Sequence, residues 1–260
     1  MTRLQLPDPV SRRTGARHPR SSRWGSGGRL FAVAIVSGAL VGACTDFAVH
    51  GPDPTPAVVR PSTSLPSPAL GIVPAPQVSF AAVSWRDYHE VTLPYSAADG
   101  PRSTGGDLAS GFARTPLGAL LAAVHIAVRA NAQWGPKVFE PTITKQVIGP
   151  DASSLLAATQ GLYDKRHGHL PDGAALGRAY VVLEGFRWQG YSPDSASLDL
   201  VSAGPGDSDM TVRAATRIEL QWGDSDWRVI APPGGTWGGS AASIPSADGY
   251  VRFPNGGGGS

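Results

Sequence analysis

The sequence predicts an α+β domain in which about three helices pack on one face of a curved, four-stranded antiparallel sheet. Three observations point there. Apolar residues recur at helical spacing between 115 and 163, they alternate with polar ones between 180 and 231, and Gly, Pro and Asp turns separate the alternating runs. Helices followed by an antiparallel meander bury both sets of apolar positions by facing each other.

Residues 80–95 carry Val83, Trp85, Val91 and Leu93 at alternate positions, as an N-terminal strand or an extended lead-in would. Thr115-Pro116 then supplies a hydroxyl cap and a proline at the first helical position, where its missing N–H costs nothing. Leu117, Leu120, Leu121, Val124 and Val128 follow on one helical face, while Ala119, Ala122 and Ala123 add propensity and permit close approach. A second helix is expected between Pro136 and Val147, although Pro141 and Ile143 weaken its pattern. Asp151 is placed to cap a third, from Ala152 to Tyr163, with Leu155, Leu156 and Leu162 inward.

Four strands are expected at 180–188, 196–201, 210–222 and 227–231. In the third, Met210, Val212, Ala214, Ile218, Leu220 and Trp222 share one parity, and Arg213, Arg217, Glu219 and Gln221 take the other. That is the pattern of a sheet with one wet face. Gly223 to Asp226 closes a hairpin that brings Trp222 near Trp227.

The flanks of this domain differ in composition. Before residue 30 seven arginines stand against Asp8 alone, a charge of +6, so the remainder of the +2 chain carries −4. A mildly acidic domain does not present a nucleic-acid footprint, and no nucleic-acid partner is expected. The boundaries are read as a basic n-region (1–29), a signal or membrane anchor (30–44), a Pro-rich linker (45–79), the α+β domain (80–237) and a disordered Gly/Ser/Pro tail (238–260).

The apolar run 30–43 is shorter than the roughly 20 residues that a bilayer span needs. It ends in Val41-Gly42-Ala43-Cys44, which resembles a lipoprotein processing box with Cys44 as the lipid-attachment residue. An uncleaved anchor reaching about Val49 is the other reading. Either one retains the arginines inside and puts the domain on the extracytoplasmic side of the membrane. Eight prolines between 52 and 76 then form an extended tether.

The order of helices and long strands, closing with Leu220-Gln221-Trp222-Gly223-Asp224-Ser225-Asp226-Trp227-Arg228-Val229, resembles the nuclear transport factor two-like cone fold. The strings Gly111-Phe112-Ala113-Arg114-Thr115-Pro116-Leu117-Gly118-Ala119 and Ala122-Ala123, with Gly185-Phe186, are similar to uncharacterised actinobacterial envelope proteins associated with conjugative transfer. The resemblance implies a membrane-tethered structural or assembly component of a cell-envelope complex, with envelope proteins as partners. Because the cone fold hosts enzymes, binders and scaffolds alike, the alternative is a membrane-displayed ligand-binding or enzymatic domain.

Few residues support that alternative. Tyr180, Glu184 and Trp188 share a parity and outline a cavity in which Glu184 would act as a base; a bulge at Gly185 would instead turn Glu184 to solvent. His167-Gly168-His169 has no nearby acidic or thiol ligand, so no metal site is expected, and no cofactor is implied. His125 and Arg129 are read as a surface pair one helical turn apart. Trp188, Trp222 and Trp227 belong to the core, whereas Trp134 and Trp237 flank irregular segments and are the contact candidates. No catalytic constellation is found.

Overall fold

A computed structural model of the chain describes residues 75–177, 181–206 and 210–254. Val41, Gly42, Ala43, Cys44, the basic segment, most of the Pro-rich stretch, Tyr180 and residues 255–260 lie outside the described residues.

Among the described residues the domain is α+β, with three α-helices and a sheet larger than the sequence predicts. Its elements run β1 (Val83–Tyr88), β2 (Val91–Ser96), α1 (Pro116–Arg129), α2 (Pro136–Gln146), β3 (Val147–Ile148), α3 (Ala152–His167), β4 (Val182–Tyr191), β5 (Ser195–Pro205), β6 (Thr211–Gly223), β7 (Asp226–Ile230), β8 (Ala241–Ile244) and β9 (Val251–Arg252). The main sheet has seven strands in the order β3-β7-β6-β5-β4-β9, with β8 also on β6.

The expectation of four antiparallel strands is therefore corrected in two respects. The sheet is mixed, because β3 leaves α2 directly and pairs parallel with β7, Val147 opposite Val229. It is also wider, because β6 is 13 residues long and β7 covers only Leu220 to Gly223. β5 occupies the other edge of β6 from Thr211 to Gln221, so β8 takes the vacant stretch from Arg213 to Thr216. The tail expected to be disordered from 238 is folded as far as Pro254. Within it Val251 and Arg252 pair with Phe186 and Gly185. A Cβ on Gly185 would lie 2.3 Å from the Val251 carbonyl, so glycine is what lets β9 approach.

Residues 80–95 form the separate hairpin β1–β2. Its two turn residues, His89 and Glu90, have φ of 50° and 72°, and Asp224 and Ser225 repeat the arrangement in the β6–β7 turn at 50° and 64°. Positive φ at both central residues matches the turn to the twist of the flanking strands.

Helix α1 starts as its sequence requires. Thr115 accepts a hydrogen bond from the Gly118 amide at 2.9 Å, and Pro116 holds the first position. The expected single apolar face is too narrow a description, since every residue from Gly118 to Arg129 is buried. One side of α1 packs on β6 and β7, and β2 covers another. Helix α2 tolerates Pro141 near its middle. Helix α3 runs four residues past Tyr163, its last turn carrying Lys165, Arg166 and His167 where cations favour the helix dipole. Asp151 stands at its N-cap position, but its side chain makes no capping hydrogen bond.

On β6 the alternation buries Ile218 and Leu220, while Met210 and Val212 are 66% and 46% exposed. The inward assignment of these two is corrected: the parity is right, yet none of the described residues covers the sheet at that end of the strand.

Candidate functional site

The parity that places Leu198, Leu200, Ile218 and Leu220 in the helix-facing core sends Asp199 of β5 and Arg217 of β6 to the opposite, outer face, where the register sets them side by side. Arg187 of β4 is the partner of Asp199 on its other flank. Three strands thus deliver two guanidiniums to one carboxylate. Arg217 Nε donates to Asp199 Oδ1 at 2.6 Å, Arg187 Nη2 donates to Oδ2 at 3.1 Å, and Gln189 Nε2 reaches the same oxygen at 2.6 Å. Asp199 is buried, while the two arginine side chains remain 41% and 49% exposed. Charge-assisted bonds to a sheltered carboxylate hold the arginines in place and leave much of each head accessible.

The folded tail turns this strip of sheet into a cleft. Ala247 packs on Val201 and Ala215 in a small second core, joined by Ile244 and Tyr250. The Tyr250 ring carries the Arg187 guanidinium 4.5 Å from its centroid. Between the tail and β6 lies a cleft of about 560 Å³, with Arg187, Asp199 and Arg217 among its lining residues, Glu219 beside them, and Trp237 and Tyr250 as aromatic walls. Expected as wet, this face is instead half covered, and Arg187, Asp199, Arg217 and Glu219 line the cleft where the tail stands off.

Glu184 is not in a cavity with Trp188. A register shift between Leu183 and Gly185 inserts an extra residue into β4, so Glu184 turns to the outer face while Trp188 packs on the helix-facing core. The bulge at Gly185 is present, but Glu184 is not exposed: Arg213 grips it through Nε at 2.8 Å and Nη2 at 3.1 Å. A carboxylate clamped at both oxygens is not free to act as a base.

His125 and Arg129 are not a surface pair, because the β1–β2 hairpin buries them both. His125 Nε2 meets the Pro94 carbonyl at 2.7 Å, and its Nδ1 lies 2.8 Å from Arg129 Nη1. Burial first, and the neighbouring Arg129 charge second, push its pKa down to about 3; the bond to Pro94 works weakly the other way. Arg129 also donates to the Asp107 carbonyl and lies 4.1 Å from the Tyr88 ring centroid. Burial raises the Tyr88 hydroxyl to about 12 against the pull of Arg129.

Trp134 and Trp237, the contact candidates, are both largely buried. Trp134 Nε1 donates to the Val128 carbonyl at 2.6 Å, a core anchor, whereas Trp237 lines the cleft. Trp227 is fully buried and Trp222 half-buried, 5.5 Å apart edge to face. His167 bonds the Pro171 carbonyl at 3.0 Å and His169 is exposed.

Sequence reasoning named Arg217 and Glu219 only as the polar parity of a strand. Asp199 was missed; a lone acid between Leu198 and Leu200, flanked by strands with basic residues on the same face, is the signal that could have found it.

A family model described as a domain of unknown function (DUF8175) matches residues 49–252. No curated protein and no solved structure matches the chain.

Proposed function

We propose that this chain, which belongs to the DUF8175 family, is a non-enzymatic, membrane-tethered component of a cell-envelope complex whose outer-face cleft is its contact site for a partner. The observation that carries this reading is the cleft itself, about 560 Å³ and built by a C-terminal segment folded across the second face of the sheet. Its central acid accepts three hydrogen bonds and so orients the arginines beside it. That arrangement suits recognition more than catalysis.

The tether in this reading is the lipid on Cys44 or an uncleaved N-terminal span, followed by the Pro-rich stretch, with the domain on the extracytoplasmic face. The curved sheet under three helices is a cone-like variant with added edge strands. A conjugative transfer apparatus is the most specific assembly that the sequence resemblance suggests.

Photo-crosslinking in cells tests the contact site. A photoreactive residue at Glu219, in the cleft, should give adducts with envelope proteins, and one at Ser153, exposed on α3, should not. Equal labelling from both positions, or none from Glu219, would remove the reading. Metabolic labelling with a fatty acid tests the tether: label that is lost in Cys44→Ser supports lipidation, and unchanged label excludes it.

A further inference from the structure

The cleft lining carries two guanidiniums and two carboxylates, but only one of the carboxylates, Asp199, bonds the guanidiniums. Arg187 and Arg217 share the single carboxylate of Asp199, and Arg217 uses only its Nε to reach it. Among the described residues no hydrogen bond takes up the two terminal amino groups of Arg217. These donors are held by a buried acid beneath them, and Arg187 is steadied from the side by Tyr250. Positioned guanidinium edges next to an open volume are what binds a carboxylate with little ordering cost.

The rest of the cleft limits what carries that carboxylate. Glu219 is exposed beside the arginines and pairs with neither of them, so a second negative charge on the ligand would be repelled. Trp237, Tyr250 and Ile244 offer apolar and aromatic surface rather than further cations. β8, which lines the cleft, bonds only β6 among the described strands, leaving its outer edge to pair with an extended main chain.

We propose that the cleft recognises a single carboxylate on an extended peptide, with Arg217 and Arg187 as the binding pair. This rests on the cleft being the contact site and names the chemistry of its partner. The carboxylate comes either from an acidic side chain or from a peptide C-terminus, and the probes below separate the two.

Isothermal titration calorimetry on the full chain tests it with three pentapeptides: acetyl-Ala-Ala-Glu-Ala-Ala-amide, the same peptide with Gln for Glu, and acetyl-pentaalanine with a free C-terminal carboxylate. At least one carboxylate peptide should bind, with the Gln peptide weaker by about tenfold or more, as loss of a charge-assisted pair implies. Binding of the Glu peptide identifies a side chain, and binding of the free acid identifies a terminus. Arg217→Gln and Arg187→Gln should each weaken the carboxylate peptide about tenfold and leave the Gln peptide unchanged. The proposal is overturned if no peptide binds, if charged and neutral peptides bind alike, or if both variants bind as the parent does.

The crosslinking experiment separates this failure from the broader one. Adducts from position 219 without carboxylate preference would keep the contact site and remove its chemistry. Carboxylate binding without adducts would do the reverse.

Discussion

Arg129 Nη1 lies 2.8 Å from His125 Nδ1 across one turn of α1, and both side chains are buried. The contact requires a neutral imidazole that accepts from the guanidinium at Nδ1 and donates from Nε2 to the Pro94 carbonyl. Among the described residues no carboxylate forms an ion pair with Arg129; carbonyl oxygens, the imidazole and the Tyr88 ring surround it instead. An uncompensated buried cation is costly, so protonation of His125 beside it is strongly disfavoured in the folded state.

A pH dependence of stability follows. The folded His125 pKa, about 3, is below the 6.5 of an ordinary imidazole. Between these values the unfolded chain binds the extra proton, so the stabilisation is complete above the unfolded pKa and falls as pH drops toward the folded one. One such proton has a limiting slope of about 1.4 kcal/mol per pH unit. Urea unfolding from neutral pH downward should show this loss, and His125→Gln, which retains a donor and an acceptor, should flatten it.

The Glu184–Arg213 clamp should be structural. Arg213→Ala leaves a buried carboxylate unpaired and is expected to cost about 3 kcal/mol of unfolding free energy. Replacing both residues together with a well-packed apolar pair should cost less than Arg213→Ala alone, as measured by chemical denaturation.

Asp226 fastens the chain leading into α1 to the β6–β7 hairpin. Its carboxylate accepts from the amides of Gly111, Phe112 and Trp227 at 2.8, 2.9 and 2.9 Å, and Trp227 Nε1 returns a bond to the Ala113 carbonyl at 2.8 Å. Asp226→Ala is expected to destabilise the fold by about 2–3 kcal/mol. Asp226→Asn, which retains one carbonyl acceptor, should fall between the two in thermal unfolding.

Phe253 anchors the tail. Its ring is stacked on Phe186 at 5.8 Å and meets Phe80 and Trp85 at 5.8 and 5.5 Å. Phe253→Ala should cost about 3 kcal/mol and increase amide exchange across 241–252 more than in α1, because it releases the segment that builds the cleft.

How much of this was legible in the sequence varied with the range of the interactions involved. Helix α1 declared itself through Thr115, Pro116 and five spaced apolar residues, all local signals. The burial of His125 and Arg129 did not, because the hairpin that covers them lies some thirty residues away in the chain. Strand β6 was readable from its alternation, but the exposure of Met210 depends on where cover ends, which no parity encodes. The Gly/Ser/Pro composition of the tail concealed β8 and β9, whose order comes from Ala247 and Phe253 docking on surfaces already formed. The motifs Gly111-Phe112-Ala113 and Asp226-Trp227 were both conspicuous; that one hydrogen-bonds the other was not. Asp199 was visible as a residue, but its role as the hub for Arg187 and Arg217 arises from three strands in register.

Residues 245–250, between β8 and β9, cross the outer face of the sheet and create the cleft. Nuclear Overhauser contacts in the full chain measure this directly. Cross-peaks between the Ala247 methyl and the Val201 methyls, together with Tyr250 ring protons near the Arg187 side chain, are the predicted result. Random-coil shifts through 241–253 with no contact to Val201 would contradict the account.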